Sequence, residues 1–579
     1  MRNRQILLYF LLTVVLLVTV VPITFLVFGS FWSTSPGLSG SLTTENYAQV
    51  LSDPTTGSVI LTSVFYSIGS ALLATAGGFL VAFLIHRTDA PFRRLMTIAI
   101  LSTLAVPFFI EDISWSYLLN PTNGLFNIWF KGLTGSPIFD VYSIRGLILV
   151  MGIDLIPLSF LKIGASLSLM DPLLEESSRV AGAGLLTTIR RIVVPLARPA
   201  ILSTMLLDFI ISMEAFDAAA IIGVPGRVYV LTTSIYRSIV GEIPPNYGVA
   251  TSYAVVLVAI TLCALTLYLK STARTNRFVT LGTAAGRPSV IALGKVRWLG
   301  GGFFVLYILL YPLPILSTIL LASLHPFWNP GFLLTGLTLD NFSAFLSFSN
   351  TLPSILNSFV VSISAAAVAV LLAFSVAYAR IRTATRGARF VEAAVTIPLA
   401  LPTLVLGVGL LWALVFSPIP IYGTIWALTF AYVVRYIPVV IRLLSGPLIQ
   451  VKMELEEVSR ICGATQFRTV RFITFPLLKP AIVISLIYVF LVSIKDLGAA
   501  VMLVRQNSQV LSAVIFQFWS AGDYSIAAAA GVLYLIILSL ILLVAIFVFK
   551  ANPTALVTPE GKSVKVAETV VGKSAPSGR

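Results

Sequence analysis

The chain has 579 residues, of which 58% are hydrophobic and 11% are charged, and its mean hydropathy is +0.98. This apolar content is far above that of an average soluble domain, so it excludes a soluble globular protein and predicts an integral membrane protein. The formal net charge of +15 is compatible with nucleic-acid binding or with membrane orientation, and the distribution of the basic residues separates the two.

Apolar segments of the length needed to cross a bilayer as a helix recur along the whole chain. The first follows a short basic segment, but its apolar run is longer than that of a secretory signal and has no clear cleavage site, so we count it as a span. We predict an all-α integral membrane fold with twelve spans, near residues 5–32, 58–85, 95–119, 142–170, 199–222, 248–269, 298–324, 354–379, 390–416, 421–447, 480–504 and 524–549.

The basic residues lie mainly on one side of the predicted spans. With both termini placed in the cytoplasm, the inside segments hold 29 of the 38 Lys and Arg residues, whereas the two long outside loops at 33–57 and 325–353 hold none. This is the positive-inside pattern, so the excess charge orients the protein and needs no nucleic-acid partner. Cys263 lies in a span and Cys462 in an inside loop, which indicates neither a disulfide nor a thiolate metal site.

The chain contains an internal duplication. Residues 175–201 and 456–482 agree at 14 of 27 positions without a gap, at an offset of 281. Earlier in the chain the offset is 295, which aligns "LTTENYAQVL" with "LTLDNFSAFL", and an extra outside loop in the first copy accounts for the difference. Each copy has six spans, an even number, so the two repeats are predicted to be parallel about an axis along the membrane normal.

The duplication divides the chain into four predicted parts. The linker is basic and rich in Gly, Ser and Thr, and the tail is polar and predicted to be disordered. The parts are a first six-helix repeat at 1–270, a cytoplasmic linker at 271–297, a second repeat at 298–550 and a cytoplasmic tail at 551–579.

A polar loop joins the fourth and fifth spans of each repeat; we call residues 171–198 hook 1 and residues 450–479 hook 2. In hook 1 an Asp-Pro pair is typical of a helix start, and Glu175 and Glu176 follow in the first turns, where negative charge suits the helix dipole. Gly182 permits a bend, and Pro195 is predicted to restart the chain into span five. The pattern predicts a helix, a bend and a second helix.

The hooks resemble the signature loop of the transmembrane subunits of ATP-binding-cassette importers that depend on a binding protein. That signature reads E-A-A, three residues, G, nine residues, then I-x-L-P. The first copy reads Glu176-Ser177-Ser178, Gly182 and Ile192-Val193-Val194-Pro195. The second reads Glu457-Val458-Ser459, Gly463 and Ile473-Thr474-Phe475-Pro476. Spacing matches in both copies, and the departures are Val458 and the residues before each proline.

The resemblance implies the fold of a type I importer permease in the plasma membrane of a prokaryote. It further implies two separate ATPase subunits, one for each hook, and an extracytoplasmic binding protein, with ATP held by the partner subunits and no cofactor in this chain. Glu176 and Glu457 would face the ATPases. The coupling residues are then Glu175, Glu176, Gly182, Pro195, Glu456, Glu457, Gly463 and Pro476. The alternative interpretation is that each hook is only a solvent-exposed loop connecting two spans.

The chain itself has no ATP-binding motif: its two GKS triplets, at Gly561 and Gly572, lack the upstream glycine of a phosphate loop and lie in the tail. With only two histidines, His86 and His325, neither at metal-ligand spacing to another ligand, no metal site or enzyme site is indicated. We therefore predict a permease subunit and not an enzyme.

Ionisable residues inside spans are costly and suggest function. At the offset of 281, Asp154 aligns with Arg435 and Glu214 with Lys495, so equivalent positions carry opposite charge. One hypothesis places these residues near the axis between the halves, where opposite charges neutralise each other; the other places Glu214 and Lys495 at the outer headgroups. The pathway candidates are Asp154, Asp208, Glu214, Arg435, Lys495 and Asp496.

Segments after span five in both repeats resemble fused iron(III) permeases more loosely, with thiamine and polyamine permeases as relatives. Iron(III) is the preferred substrate on this ground. A twelve-span ion-coupled transporter is the main rival, since parallel halves of six would suit it. Two matched loops of the ATPase-docking type speak against that rival, and no filter-like repeat indicates a channel.

Overall fold

The fold is that of a computed structural model, which describes residues 2–137, 139–171, 173–275, 290–329, 335–383 and 386–549. Within these ranges each half forms thirteen α-helices. Those of the first half are α1 (Arg2–Ser30), α2 (Glu45–Ser52), α3 (Thr56–Arg87), α4 (Arg93–Thr103), α5 (Phe108–Leu119), α6 (Leu125–Thr134), α7 (Ile144–Asp154), α8 (Ile156–Ser168), α9 (Leu173–Val180), α10 (Leu185–Thr188), α11 (Val194–Glu214), α12 (Leu231–Tyr236) and α13 (Tyr247–Thr275).

The second half has a similar order with local differences, and the described residues pair as strands only at two isolated β-bridges. Its helices are α14 (Arg297–Leu310), α15 (Pro312–Ser323), α16 (Asp340–Ser347), α17 (Thr351–Tyr378), α18 (Arg386–Thr396), α19 (Thr403–Val415), α20 (Ile425–Gln450), α21 (Met453–Ile461), α22 (Gln466–Thr469), α23 (Phe475–Lys495), α24 (Gly498–Leu503), α25 (Leu511–Ala521) and α26 (Tyr524–Phe549).

The number of spans agrees with the predicted twelve when each bent helix pair is counted as one. Nine helices in the described ranges are long and apolar enough to cross a membrane, and three further pairs are bent at a short break. The prediction of continuous helices at 95–119 and 390–416 was wrong, because the chain turns by 106° between α4 and α5 and by 114° before α19. Pro107 and Pro402 stand at these breaks as helix N-caps in extended conformation, where a residue without an N–H can end one helix and begin another.

The fifth span of each half begins earlier than predicted. A single helical stretch runs through 185–214 and another through 466–495, so Pro195 and Pro476 do not restart the chain. Each proline follows a π-helical turn, Ile189–Val193 or Val470–Thr474, and stands in the first turn of the α-helix after it. A wider turn accommodates a residue that cannot donate to the preceding carbonyls. Each hook is therefore continuous with a membrane helix.

The first span of each half packs against the bent third span of the other. Helix α1 lies along α19, and α15 lies along α5. The α1–α19 contact is close because small residues face it: a Cβ added at Gly409 would stand 2.5 Å from the backbone oxygen of Pro22, and one at Gly29 would meet the ring of Trp412. This exchange of first helices joins the two halves.

The repeated "TEN" and "LDN" motifs have a structural explanation. The Asn46 amide donates to the carbonyls of Ser30 (3.0 Å) and Trp32 (2.9 Å). In the second half the amide of Asn341 donates in the same way to Ser323 (3.0 Å) and His325 (2.7 Å). Each asparagine thus satisfies carbonyls left unpaired at the end of a first span.

Both copies of the duplication therefore fold alike, as the offsets predicted. The predicted tail at 551–579 and most of the predicted linker lie outside the described residues. The described end of the linker is fixed to the first half, because Ile291 donates to the carbonyl of Arg87 (2.9 Å) and accepts from Asp89 (3.3 Å).

We predict that Gly409→Val weakens the α1–α19 contact, because the added side chain would clash with the backbone of Pro22. The expected loss is about 1–3 kcal/mol of unfolding free energy, the usual cost of overpacking. The measurement is thermal unfolding of the detergent-solubilised protein. Gly302→Val is the matched control, since Gly302 is also helical and has nothing within 4 Å of an added Cβ. Equal unfolding midpoints for the two variants would contradict the predicted contact.

Candidate coupling and translocation site

Hook 1 contains the predicted helix and bend. Asp171 caps α9, since its Oδ1 accepts from the N–H of Leu173 (2.9 Å); the neighbouring Pro172 lies outside the described residues. At the other end Gly182 takes φ +84°, and the N–H of Ala183 reaches back to the carbonyl of Ser178 (3.0 Å). This left-handed C-cap ends α9 and turns the chain into α10.

Hook 2 has the same geometry. Gly463 takes φ +82° after α21, and the N–H of Ala464 donates to the carbonyl of Ser459 (3.0 Å). A hydroxyl pair then joins the two arms of each hook: Ser178 with Thr188 (3.0 Å) in hook 1, and Ser459 with Thr469 (2.9 Å) in hook 2. Both hooks are closed structures with a fixed bend.

The two glutamates of each hook point to different environments. Glu175 and Glu456 are buried, whereas Glu176 and Glu457 are exposed. Of the four glutamates named as coupling residues, Glu176 and Glu457, the two expected to face the ATPases, therefore stand on the surface of the described structure. Adjacent residues on a helix do not share a face, so one carboxylate of each pair can lie in the interior while the other lies on the surface.

Glu175 is buried, and its charge is compensated there by an ion pair with Arg87, the last residue of α3. The Arg87 Nη2 lies 2.5 Å from Glu175 Oε1, and both side chains are less than 5% exposed. Arg87 also donates to the carbonyl of Leu167 (3.4 Å), in the last turn of α8, and to that of Met170 (3.1 Å), just after this helix. We call this group clamp 1; it joins spans two and four to the hook.

Clamp 2 is its counterpart in the second half. Arg382 Nε donates to Glu456 Oε1 (3.0 Å), and its Nη2 donates to the carbonyls of Leu448 (3.2 Å) and Val451 (2.8 Å). Glu456 also accepts from the hydroxyls of Tyr378 (2.9 Å) and Thr474 (3.0 Å). The arginines are related by 295 residues and their partners by 281, so the clamp was duplicated with the fold.

Sequence reasoning missed both clamp arginines. Their signal was present, since Arg87 and Arg382 immediately precede Thr88 and Thr383, which align at the offset of 295. However, a basic residue at the cytoplasmic end of a span is normally interpreted as an orientation signal. The neighbouring sequence does not indicate its glutamate partner, which lies 88 residues later for Arg87 and 74 residues later for Arg382.

The breaks in the third spans are each capped by a cation from another span. Lys495 Nζ donates to the carbonyl of Leu104 (2.6 Å) at the end of α4. Arg435 Nη1 donates to the carbonyls of Pro398 (2.9 Å) and Leu399 (3.0 Å) at the second break. Leu104 and Leu399 are equivalent positions. A cation suits such a helix C-terminus, where unpaired carbonyls carry partial negative charge.

The opposite charges at equivalent positions are explained by these caps. Arg435 Nη2 forms an ion pair with Glu214 Oε2 (2.6 Å), which joins the two halves at the second break. At the first break the signs are reversed: Lys495 occupies the position equivalent to Glu214, and Asp154 the position equivalent to Arg435. One ion pair thus joins the halves in the described structure, and in it Glu214 pairs with Arg435 and not with its own equivalent, Lys495.

A set of buried carboxyl groups surrounds the first break. Asp154 accepts from Trp115 Nε1 (3.1 Å), and Glu111 accepts from the hydroxyl of Tyr311 (3.0 Å). Neither carboxylate oxygen of Asp112 has a hydrogen-bond partner among the described residues, although the residue is 1% exposed. Glu111 and Asp112 are replaced by Leu406 and Gly407 at the equivalent positions, and Asp154 by Arg435, so this acidity belongs to one half only.

The remaining pathway candidates have local partners. Asp208 is fully buried and accepts from Thr75 (3.2 Å) and Ser159, with Lys162 Nζ at 4.0 Å. Asp496 caps α24, because its Oδ1 accepts from the N–H of Ala499 (2.9 Å). Asp496 directly follows Lys495 in the chain, whereas the hydrogen-bond partners of Asp208 lie in other helices of the first half.

Twelve spans in two like halves, each with an inward-clamped hook, define a duplicated transport permease. The family description "Binding-protein-dependent transport system inner membrane component" matches residues 74–276 and 369–553, once in each half. The chain belongs to this family.

Two curated relatives are named as ferric transport permease proteins. The ferric transport system permease protein FbpB of Actinobacillus pleuropneumoniae is 26% identical over 412 residues, a match that covers 70% of this chain and 58% of the relative's length. The Fe(3+)-transport system permease protein FbpB 2 of Haemophilus influenzae is 25% identical over 484 residues, covering 83% of this chain and 87% of that protein.

Among solved structures, a crystal structure of a bacterial ABC transporter involved in the import of the acidic polysaccharide alginate is 18% identical. The match covers 41% of this chain and 84% of that one, with a TM-score of 0.35. This likeness is too low to carry an argument about the present chain.

We predict that Glu175→Gln and Glu456→Gln each destabilise the protein by about 3–5 kcal/mol, because a buried arginine would lose its carboxylate partner. Hydrogen exchange of the hook and urea unfolding in detergent measure the effect. The adjacent exposed residues supply controls: Glu176→Gln and Glu457→Gln are expected to change the unfolding free energy by less than about 0.5 kcal/mol. Similar effects of the buried and exposed substitutions would refute the clamps.

Proposed function

We propose that this chain forms the translocation pathway of an ABC importer and that each hook docks one separate ATPase subunit on the cytoplasmic side. Both termini are then cytoplasmic, and a binding protein delivers substrate to the opposite face. The observation that carries the proposal is the duplicated hook, in which an exposed glutamate stands beside a buried one clamped to the membrane helices.

The clamps give the coupling a mechanical route. Glu176 and Glu457 are free to contact a partner, and a push on either is transmitted through a fixed bend into a helix of about thirty residues. The same push reaches spans two and four, because Arg87 and Arg382 hold the adjacent glutamate and the helix-end carbonyls together. A rigid lever of this kind converts a local movement of the partner into a movement of several spans at once.

The far end of each lever lies at a break. Helix α11 ends at Glu214 and α23 ends at Lys495, the two residues that reach the breaks of the opposite half. Movement of a hook therefore acts along one helix on the charge pair or cap at the other end. We infer that the breaks are the part of the pathway that opens.

We propose iron(III) as the substrate. Two relatives carry that substrate in their names, and the buried carboxyl groups around the first break give the pathway a negative potential that attracts cations. No group of three or more His, Cys, Asp or Glu residues stands at metal-binding spacing in the described part of the chain, so the proposal concerns electrostatic attraction during passage and not a resident metal.

The test of coupling is the double variant Glu176→Ala/Glu457→Ala, reconstituted with its ATPase and binding protein in proteoliposomes. We expect normal folding and at least about a tenfold loss of ATP-driven uptake, equivalent to some 1.4 kcal/mol of coupling. The control Glu45→Ala/Asp340→Ala removes two exposed carboxylates, also at equivalent positions, from the opposite end of the protein. Unchanged assembly and uptake in the hook variant would reject the coupling role.

The test of substrate class is Asp112→Asn, an isosteric change that removes one buried charge. We expect ferric uptake to fall by about tenfold, since focused fields change rates on at least that scale. Asp53→Asn, at an exposed loop position, is expected to leave uptake unchanged. Thiamine and spermidine uptake are measured in parallel, and transport of either solute without ferric transport would overturn the iron assignment while leaving the permease role intact.

A further inference from the structure

A pocket of about 540 Å³ lies where the loop after α3 meets the start of α14, away from the hooks' exposed glutamates and from both breaks. Its lining includes Phe92, Arg93, Arg94, Arg297 and Trp298, and so combines residues of both halves. The backbone contacts between Asp89 and Ile291 hold the two contributing segments together. The pocket is therefore a fixed feature of the fold.

The pocket is strongly basic. Arg93 donates to the carbonyl of Thr88 (2.8 Å), and the only carboxylate in the lining, Asp89, accepts from the N–H of Leu293 (2.8 Å). Within the described ranges no carboxylate forms an ion pair with any of the three arginines. Three guanidinium groups and one carboxylate, which forms no ion pair with them, leave the pocket with a net positive charge, and such a site suits a phosphate group.

The surface beside the pocket is apolar. Leu95 and Ile98 continue along α4 from the arginines and are 51% and 64% exposed, and Leu299 on α14 is 74% exposed. Trp298 is 59% exposed at the boundary between the charged and the apolar surface, the level at which tryptophan collects in membrane proteins. A ligand that fills the pocket and covers this surface has an anionic head and hydrocarbon chains.

The pocket is on the hook side of the molecule, because Arg87, which directly precedes its loop, holds Glu175 of hook 1. That side faces the cytoplasm if the proposed function is correct. We propose that the pocket binds the headgroup of one anionic phospholipid of the cytoplasmic leaflet, with its acyl chains along Leu95, Ile98 and Leu299. Basic pockets between membrane helices are suited to such headgroups. The lipid would join the first half to the second at the point where the linker ends.

The test uses the full chain in detergent and native mass spectrometry with phosphatidylglycerol or phosphatidylcholine of the same acyl chains. We expect one phosphatidylglycerol to bind more tightly than the others and more tightly than phosphatidylcholine. Arg93→Gln/Arg94→Gln/Arg297→Gln is expected to weaken that first site on the order of 100-fold, at about fivefold per arginine. Arg94→Gln alone, an exposed position, is expected to weaken it about fivefold and serves if the triple variant fails to fold.

The control Arg190→Gln/Arg191→Gln/Arg198→Gln removes three exposed arginines from the same side outside the pocket, and it is expected to leave the first site within twofold. An equal loss in both triple variants would show general attraction to lipid and overturn the proposal. So would equal affinity for phosphatidylcholine. Displacement by millimolar inorganic phosphate, with no dependence on acyl chains, would assign the pocket to a free anion instead. None of these outcomes depends on transport or on the ATPase.

Discussion

The proposed coupling depends on one contact in each half, made by a buried arginine at the end of a membrane helix. Arg87 and Arg382 each bind a hook glutamate and the carbonyls at the end of the fourth span. A buried ion pair adds little net stability compared with apolar packing, but loss of one partner is costly, so such a pair fixes a geometry. Here the geometry it fixes is the angle between the hook and two spans, which the proposed coupling requires.

At the other ends of α11 and α23, the two halves have similar backbones but carry different charges. Both third spans break at a proline, and both breaks expose carbonyls to a cation from the second half. The second break is balanced by Glu214, whereas the first lies among several buried carboxyl groups. A duplicated backbone thus carries two different electrostatic environments.

The sequence was sufficient to predict the class, the duplication, the number of spans and the position of the hooks, since hydropathy, offset and motif spacing are local or repeated signals. It was insufficient for the bends at Pro107 and Pro402, because an apolar run reads as a span whether it is straight or broken. The restart expected at Pro195 was also wrong, because a π-turn there accommodates the missing donor, as it does before Pro476. The clamps and the Glu214–Arg435 pair were out of reach, since each joins residues more than 70 positions apart.

The reversed charges at the two breaks bear on why both halves occupy one polypeptide. A dimer of first halves would place Asp154 and Glu214 at both breaks, with no cation for either set of carbonyls. A dimer of second halves would place Arg435 and Lys495 together at both, with no carboxylate between them. Only the mixed pair supplies a cation to the carbonyls at both breaks and a carboxylate near each cation, and peptide linkage keeps the unlike halves in equal number.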